Sequence, residues 1–331
     1  MDTVRRLVLL GLLLFVAGWS SCGNTGSNPG GMTPPVFDAQ QAFRILQDQV
    51  GFGPRTPGSA AHGRAEAYLF GVLSRTAREA FKQPFTASTS FGGPYRFNNL
   101  IGLYGPTTGR RLMLCAHWDS RPVADEDPDP SKRSQPVPGA DDGASGAAVL
   151  LEMARGFQET PPPAPVIIAL WDAEDSGKSS TSPPLYGFCL GSSYFVRNMP
   201  AKARPDEVIL LDMVGGDNRH NPRVGTRTSI GGNDVFDLPE EESSRQAAPE
   251  LMDKVYSTAL GLGHTAFRRE PGYSVIDDHT PFIAQGIPAI DLIEFDYPEW
   301  HTVDDTPANC DADSLRQVGD TLMAVVYARR P

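Results

Sequence analysis

Carboxylates and histidines stand close to the ends of apolar runs in this sequence, and their types and spacing suit metal and proton chemistry. The run 166–171 is followed at once by Asp172, Glu174 and Asp175. Such closely spaced acids repel one another, so a metal ion, another cation or open solvent has to stabilise them. Comparable residues after other apolar runs, or in the loops between them, are His117 and Asp119, Asp141 and Asp142, Asp212, and His301.

The mixture of histidine and carboxylate favours a zinc site. Zinc accepts both ligand types, and a catalytic zinc site leaves one position for water or substrate. Taken singly, Asp172 is equally well explained by a turn or an ion pair, Asp142 by the start of a helix, and His117 by a buried hydrogen bond. Capping does not explain their joint occurrence at successive strand ends. We therefore predict a metal site with a proton-transferring acid beside it.

The hydrophobic pattern predicts the elements that position these residues. Apolar residues at helical spacing indicate helices, and short apolar runs bounded by turn residues indicate strands. Ser59 is the predicted N-cap of the second helix, and a turn through Pro106 and Gly109 is predicted to join the first two strands. The predicted helices cover 37–50, 60–73, 144–157, 190–199, 247–262 and 313–328, and the predicted strands cover 97–105, 111–120, 166–171, 207–215 and 287–293.

Alternating strands and helices predict a mostly parallel, mixed and twisted sheet with helices on both faces, a three-layer α/β/α sandwich. The sequence shows no internal repeat and no change of composition after residue 37, so we predict a single domain over 37–331. Ligands of such sheets bind beyond the carboxyl ends of the strands. The polar residues described above are therefore expected to meet at one rim of the sheet.

The first residues have the pattern of an export signal. Arg5 and Arg6 precede an apolar stretch over 7–16, which is too short for a comfortable membrane span. Cys22 follows two serines and precedes a tether rich in Gly, Ser, Asn and Pro, which resembles a bacterial lipoprotein signal. We predict a signal peptide over 1–21, a tether over 22–36 and a lipid anchor at Cys22. The expected location is the periplasm or outer cell envelope, with plain secretion as the alternative.

Net charge and cysteine content exclude several other classes. The formal charge of −11 argues against nucleic acid or an anionic membrane surface as the main partner. After Cys22 an odd number of cysteines remains, so Cys115, Cys189 and Cys310 form at most one disulfide. None of the three belongs to a CxxC pair, so we expect buried or free thiols rather than a cysteine metal site.

Several segments, taken together, resemble the zinc exopeptidase superfamily, the fold of co-catalytic zinc aminopeptidases, and within it the animal-type glutaminyl cyclases that some bacteria also carry. The resemblance spans nearly the whole chain after the tether. It rests on the order and spacing of "AHWDS", "GADDGASG", "LWDAED", "LGSSYF", "LLDMVGG", "IDDHTPF", "GIPAIDLI" and "EWHT".

The resemblance implies a role for each residue. Asp142, Asp175 and His301 match the zinc ligands of the cyclases, and Asp175 stands where the animal enzymes have Glu. Glu174 matches the acid that transfers the proton. The resemblance places Asp212 and Asp277 in a carboxylate network near Glu174, and Trp300 in the wall of the substrate pocket. It also places His117 and Asp212 at the position of the second zinc site of the aminopeptidases.

Two activities are compatible with these residues. A cyclase would use one zinc and a Glu174 proton shuttle to convert the N-terminal glutamine of peptides or proteins to pyroglutamate, with release of ammonia. An aminopeptidase would use two zinc ions bridged by Asp142 to activate water and release N-terminal residues. Asp277 and Trp300 favour the cyclase. We expect a monomeric enzyme that acts on peptides with an N-terminal glutamine.

Overall fold

The computed structural model describes residues 32–178, 187–217 and 236–330. Most of the described strands belong to one large sheet, and helices separate several of them along the chain. The strands are β1 (Glu79–Thr89), β2 (Gly92–Tyr104), β3 (Leu112–His117), β4 (Val166–Trp171), β5 (Glu207–Asp212), β6 (Leu238–Glu240), β7 (Phe267–Pro271) and β8 (Ala289–Ile293). The helices are α1 (Ala39–Gly51), α2 (Ala60–Thr76), α3 (Ala144–Glu159), α4 (Leu190–Arg197), α5 (Glu242–Ala247), α6 (Pro249–Gly261), α7 (Thr280–Ile283) and α8 (Ala312–Tyr327).

The main sheet has the strand order β1-β2-β4-β3-β5-β8. Strands β4, β3, β5 and β8 run parallel, whereas β1 and β2 are antiparallel at one edge. The register pairs His117 with Trp171, and Asp212 with Ile293. The carboxyl ends of four parallel strands therefore lie along the same edge, where the sequence predicts the site.

Strand β3 is buried on both faces, which explains its uninterrupted apolar sequence. Leu112 and Leu114 pack in the larger hydrophobic cluster, which includes side chains of α1, α2, α3, α6 and α8. Met113 and Cys115 point the other way, into the cluster that includes Phe195 of α4 and Phe282 of α7. Helices thus cover both faces of the sheet, which confirms the mixed α/β fold predicted from the sequence.

Glycines bring α3 close to the sheet and turn the loop that precedes it. A Cβ atom on Gly146 would lie 2.4 Å from the Leu211 carbonyl oxygen, so a larger residue would push α3 away from β5. Gly143 has a φ of 102°, and a Cβ there would lie 2.3 Å from the Asp119 carbonyl oxygen. The two glycines allow the loop carrying Asp142 to sit against the ends of β3 and β5.

The sequence-based boundaries hold where the local signal is strong. Ser59 caps α2 by accepting a hydrogen bond from the His62 backbone N–H, and β4 has the predicted bounds 166–171. Cys115, Cys189 and Cys310 are buried free thiols, as expected. Cys22, with the predicted signal peptide and most of the tether, lies outside the described residues.

Two features of the sheet differ from the prediction. Strand β1 was not predicted; its charged and polar residues and Pro84 weaken the strand signal, and the structure places it at the sheet edge, where such residues are tolerated. The strands on either side of Pro106 and Gly109 are not neighbours, because β4 lies between β2 and β3.

Met32–Pro331 cluster as one compact unit. None of the described helices combines the length and apolar character needed to cross a bilayer.

Candidate active site

The acids that follow β4 point in different directions. Asp172 pairs with His62, whose Nε2 lies 2.8 Å from Asp172 Oδ1, and it accepts a hydrogen bond of 2.7 Å from the Asn98 backbone N–H. Burial raises the pKa of Asp172 to about 6, although His62 opposes the shift. Asp172 therefore forms a structural ion pair with His62. Of the roles left open by the sequence, this is the structural one and not a part in the metal site.

Glu174 and Asp175 are turned toward the opposite side of the loop. Ala173 adopts a φ of 59°, in the left-handed region. The Asp119 carboxylate accepts hydrogen bonds from the backbone N–H groups of Glu174, at 2.9 Å, and Asp175, at 3.2 Å. Asp119, which follows β3, thus fixes the turn that follows β4. This crosslink directs both acidic side chains into the cleft at the strand ends.

The three residues predicted as zinc ligands come together in the structure. Ligand atoms of Asp142, Asp175 and His301 lie within 4.8 Å of one another, and all three residues are buried. His301 Nε2 is 3.6 Å from Asp142 Oδ2 and 3.4 Å from Asp175 Oδ1. Asp142 and Asp175 each have one buried carboxylate oxygen for which the described residues supply no hydrogen-bond donor. Two carboxylates and an imidazole with unused lone pairs fit a catalytic zinc.

A second group of possible ligands shares Asp142 with the first. His117 Nε2 lies 3.1 Å from Asp142 Oδ1 and 3.1 Å from Asp212 Oδ1. Burial alone would lower the pKa of His117, but the charge of Asp212 and hydrogen bonds to the surrounding acids raise it well above its usual range. The surrounding acids therefore stabilise a protonated, hydrogen-bonded His117, whereas binding of a metal would require its neutral form.

Glu174 lies beside the predicted ligands without belonging to them. It is buried, and burial together with the charge of Asp277 raises the pKa of Glu174 well above its usual range. The Cys189 thiol donates a hydrogen bond of 3.4 Å to Glu174 Oε1. A carboxyl group that holds its proton to higher pH is suited to general acid/base catalysis. Sequence reasoning overlooked the role of Cys189, which only the packing of two loops reveals.

Asp277 lines the same cavity as Glu174. Burial and the charge of Asp212 raise the pKa of Asp277 to about 7. One of its oxygens accepts a hydrogen bond from the Asp278 backbone N–H, and the other is buried without a donor among the described residues. Asp277 and Asp212 therefore line the same cavity as Glu174 and influence each other through their charges.

Described residues line a small cavity at this site, with a volume of about 80 Å³. The Trp300 ring stacks on the His301 ring with the centroids 3.8 Å apart, so the predicted pocket residue also packs on a predicted ligand. The wall combines a polar side with an apolar side. Its residues are Asp142, Glu174, Asp175, Asp212, Asp277 and His301 on the polar side, and Phe188, Met213, Val275, Ile276, Ile293, Phe295 and Trp300 on the apolar side.

Two further residues, in the loop after β3, were not singled out from the sequence. Arg121 Nη1 donates a hydrogen bond of 2.7 Å to Asp175 Oδ1, and Arg121 also pairs with Asp125. Burial would raise the pKa of Asp175, but the charges of His301 and Arg121 hold it at about 2. The signal for these contacts was weak, because a charged, proline-rich loop is usually exposed to solvent.

Comparison with known proteins finds similarity along most of the chain. The model of peptidase family M28 matches residues 99–326. A glutaminyl-peptide cyclotransferase-like protein of Bos taurus is 28% identical over 280 residues, which cover 77% of this chain and 67% of that protein. The family match, from residue 99 inside β2 to residue 326 in α8, includes every strand end that carries a site residue.

Solved structures with the same fold are described by the names of both activities considered from the sequence. A glutaminyl cyclase of Tannerella forsythia is 34% identical with a TM-score of 0.79, and the match covers 89% of this chain and 100% of that one. A protein of Bacteroides thetaiotaomicron described as a leucine aminopeptidase precursor is 33% identical with a TM-score of 0.81, covering 90% and 99% of the two chains. The overall likeness therefore establishes the fold, and the site residues have to distinguish the activities.

Proposed function

Because the chain belongs to peptidase family M28, we propose that it is a zinc-dependent glutaminyl-peptide cyclotransferase, which converts the N-terminal glutamine of peptides or proteins to pyroglutamate and releases ammonia. The observation that carries the proposal is the position of Glu174 and Asp277 on one wall of the cavity that also contains the predicted ligands. Both carboxyl groups have raised pKa values. The relatives of this chain in sequence include proteins named as glutaminyl-peptide cyclotransferases or as similar to them.

Asp142, Asp175 and His301 are the residues that would hold zinc. A zinc ion held there would supply Lewis acidity, which would polarise the γ-carbonyl of the substrate and stabilise negative charge on its oxygen. The small cavity and the Trp300 wall suit a single amide side chain held close to these residues. The proposed ligands and Glu174 are buried, so a bound side chain would leave little room for water that could compete by hydrolysis.

Glu174 provides the proton transfer that cyclisation requires. The substrate α-amine forms a bond to its own γ-amide carbon, and Glu174 accepts the proton that the amine loses. The protonated Glu174 then donates that proton to the departing amide nitrogen, which leaves as ammonia when the carbon–nitrogen bond breaks. The negative charge of Asp277 raises the pKa of Glu174 and so strengthens it as the group that takes up the proton.

The second candidate is an aminopeptidase, favoured by the cluster of His117, Asp142 and Asp212. These residues would bind a second zinc ion, and Glu174 would act as the base for a water molecule. Asp277 argues against this activity, because it adds another buried carboxylate to the space beside Glu174. We propose one zinc per chain for the cyclase and two for the aminopeptidase.

The location and assembly of the protein remain proposals from the sequence. Residues 1–21 would direct export, and lipidation of Cys22 would anchor the enzyme in the cell envelope, with a secreted soluble form as the alternative. The proposed enzyme is a monomer. Replacing Cys22 with Ala is expected to move the protein from the membrane fraction to the soluble fraction, and an unchanged distribution would contradict the lipid anchor.

The proposed function is tested with a matched pair of peptides. A peptide with a free N-terminal glutamine is expected to release ammonia, whereas its N-acetylated form is expected to release none, because acetylation removes the nucleophile. A chelator should abolish the reaction and zinc should restore it. Release of ammonia from both peptides would indicate simple deamidation and would contradict cyclisation.

A further inference from the structure

The Arg121 side chain is fully buried between the two loops of the site. Its side chain has no exposed area, whereas the Asp125 side chain is 38% exposed. The guanidinium forms a two-pronged pair with Asp125, from Nε to Oδ1 at 2.6 Å and from Nη2 to Oδ2 at 2.7 Å. Its remaining nitrogen, Nη1, donates to Asp175 Oδ1 at 2.7 Å. A planar, permanently charged group therefore joins Asp125 to a proposed zinc ligand.

Asp125 also approaches the other side of the site. Its Oδ1 lies 3.6 Å from His301 Nδ1, an ion-pair distance that is longer than a hydrogen bond. The opposite ring nitrogen, Nε2, is the one that faces Asp142 and Asp175. The loop is also tied to His301 through the main chain, because the Glu126 N–H donates to the His301 carbonyl oxygen at 3.3 Å.

These contacts form a continuous bridge from Asp175 through Arg121 and Asp125 to His301. We propose that Arg121 and Asp125 are positioning residues that hold two zinc ligands, Asp175 and His301, in binding geometry. Asp125 favours a proton on His301 Nδ1, which leaves the Nε2 lone pair directed toward the acids. Arg121 occupies one oxygen of Asp175, and the other oxygen is the one without a hydrogen-bond donor among the described residues.

Electrostatics support the same role. The two-pronged contact places the positive charge of Arg121 directly against the Asp125 carboxylate, which offsets the cost of its partial burial. Arg121 in turn offsets the repulsion between Asp175 and the neighbouring acids before a metal ion binds. The bridge therefore keeps the ligands together in the metal-free protein.

The test compares zinc affinities, measured by competition with a chromogenic chelator, in full-length variants. Asp125→Ala is expected to lower the affinity roughly 10- to 100-fold, the usual effect of removing a residue that orients a metal ligand. Arg121→Lys keeps the charge but cannot form both contacts, so it should also lower the affinity. Glu126→Ala is the matched control, because it removes an exposed acid from the same loop and should leave the affinity unchanged.

Two further measurements keep the outcomes distinct. Cobalt substitution should give a visible absorption spectrum that differs between Asp125→Ala and Glu126→Ala, because a change of ligand geometry alters the spectrum and a loss of surface charge does not. His301→Ala serves as the reference for loss of a ligand, since the inference rests on the proposed metal site. Unchanged affinity in His301→Ala would refute the ligand assignment itself. Loss of affinity in that variant, with Asp125→Ala and Arg121→Lys both equal to the control, would refute the bridge alone.

Discussion

At the scale of single residues, the site is defined by acids whose different surroundings give them different partners and different pKa values. Asp172, Glu174 and Asp175 follow the same strand, yet the first pairs with His62, the second faces the cavity with a raised pKa, and the third lies against Arg121. One fills a structural role, one is proposed to transfer protons and one to bind metal. Their differing surroundings explain how the chain tolerates such closely spaced acids.

The proton-transfer role of Glu174 is tested by replacing it with Gln. The amide keeps the shape of the side chain but cannot accept and return a proton, so turnover should fall by roughly 10² to 10⁴. Zinc content should stay near that of the unmodified protein, because Glu174 is not among the proposed ligands. Steady-state kinetics and metal analysis on the same sample measure both quantities, and near-normal turnover would remove Glu174 from the mechanism.

The sequence predicted the proposed ligands and Glu174 because each follows a recognisable strand end or belongs to a family segment. It did not predict Arg121, Asp125 or Cys189 as parts of the site. Arg121 and Asp175 are 54 positions apart, and their contact depends on how two irregular loops fold over each other. Local pattern carries no information about such packing, so these residues could be found only in three dimensions.

At the scale of elements, helix α3 and strand β5 place Asp142 by close packing. Gly146→Ala would bring a methyl group to 2.4 Å from the Leu211 carbonyl oxygen. We expect a loss of about 1–3 kcal/mol in the free energy of unfolding, as for other overpacked sites. Zinc affinity should fall as well, because α3 begins directly after Asp142 and Gly143.

The control for this variant is Gly63→Ala in α2. A Cβ atom at Gly63 would meet nothing within 4 Å, so alanine should raise stability by about 0.5–1 kcal/mol through its higher helix propensity. Denaturant unfolding of the metal-free proteins measures both changes. If Gly146→Ala were as stable as Gly63→Ala, the close approach of α3 to β5 would not constrain the site.

Helix α5 provides a prediction for pH dependence. Glu241 caps this helix by accepting hydrogen bonds from the N–H groups of Ser243 and Ser244. Burial would raise its pKa, but hydrogen bonds from His279 and Ser244 lower it from 4.5 to about 2. Because the pKa is lower in the folded state, the Glu241 carboxylate stabilises the fold above pH 4.5 and loses this effect as the pH falls toward 2.

Glu241→Gln is therefore expected to lower the free energy of unfolding at neutral pH by about 2 kcal/mol, with allowance for solvent screening. The difference from the unmodified protein should shrink as the pH falls through the same range. Glu242→Gln changes the exposed neighbouring acid and is the matched control. Denaturant unfolding over a pH series measures the effect, and a difference that grows on acidification would have the wrong sign for this account.

The elements themselves were largely predictable from sequence, since β4 and the N-terminus of α2 carry strong local signals. The strand at the edge of the sheet was not predictable from the sequence. Strand β1 lacks a clean apolar pattern because it pairs only with β2, and the insertion of β4 between β2 and β3 is a property of strand order. Pairing between distant strands is decided by tertiary packing, which local spacing does not encode.

At the scale of the whole molecule, one fold supports both a one-zinc and a two-zinc site. In the cyclase account, His117 and Asp212 are held in hydrogen bonds and are not needed as ligands. Titration of the metal-free enzyme with zinc should then bring activity to a plateau at one equivalent, and His117→Ala should keep measurable cyclase turnover. Activity that rises until two equivalents are bound, together with an inactive His117→Ala variant, would favour the aminopeptidase.

The central claim, cyclisation of N-terminal glutamine, is tested most directly by the mass of the product. A peptide beginning with glutamine is incubated with enzyme loaded with one equivalent of zinc, and the mixture is examined by mass spectrometry. The account predicts a peptide of unchanged length whose mass has fallen by that of one ammonia molecule. Free glutamine and a peptide shortened by one residue would contradict it and show that the enzyme is an aminopeptidase.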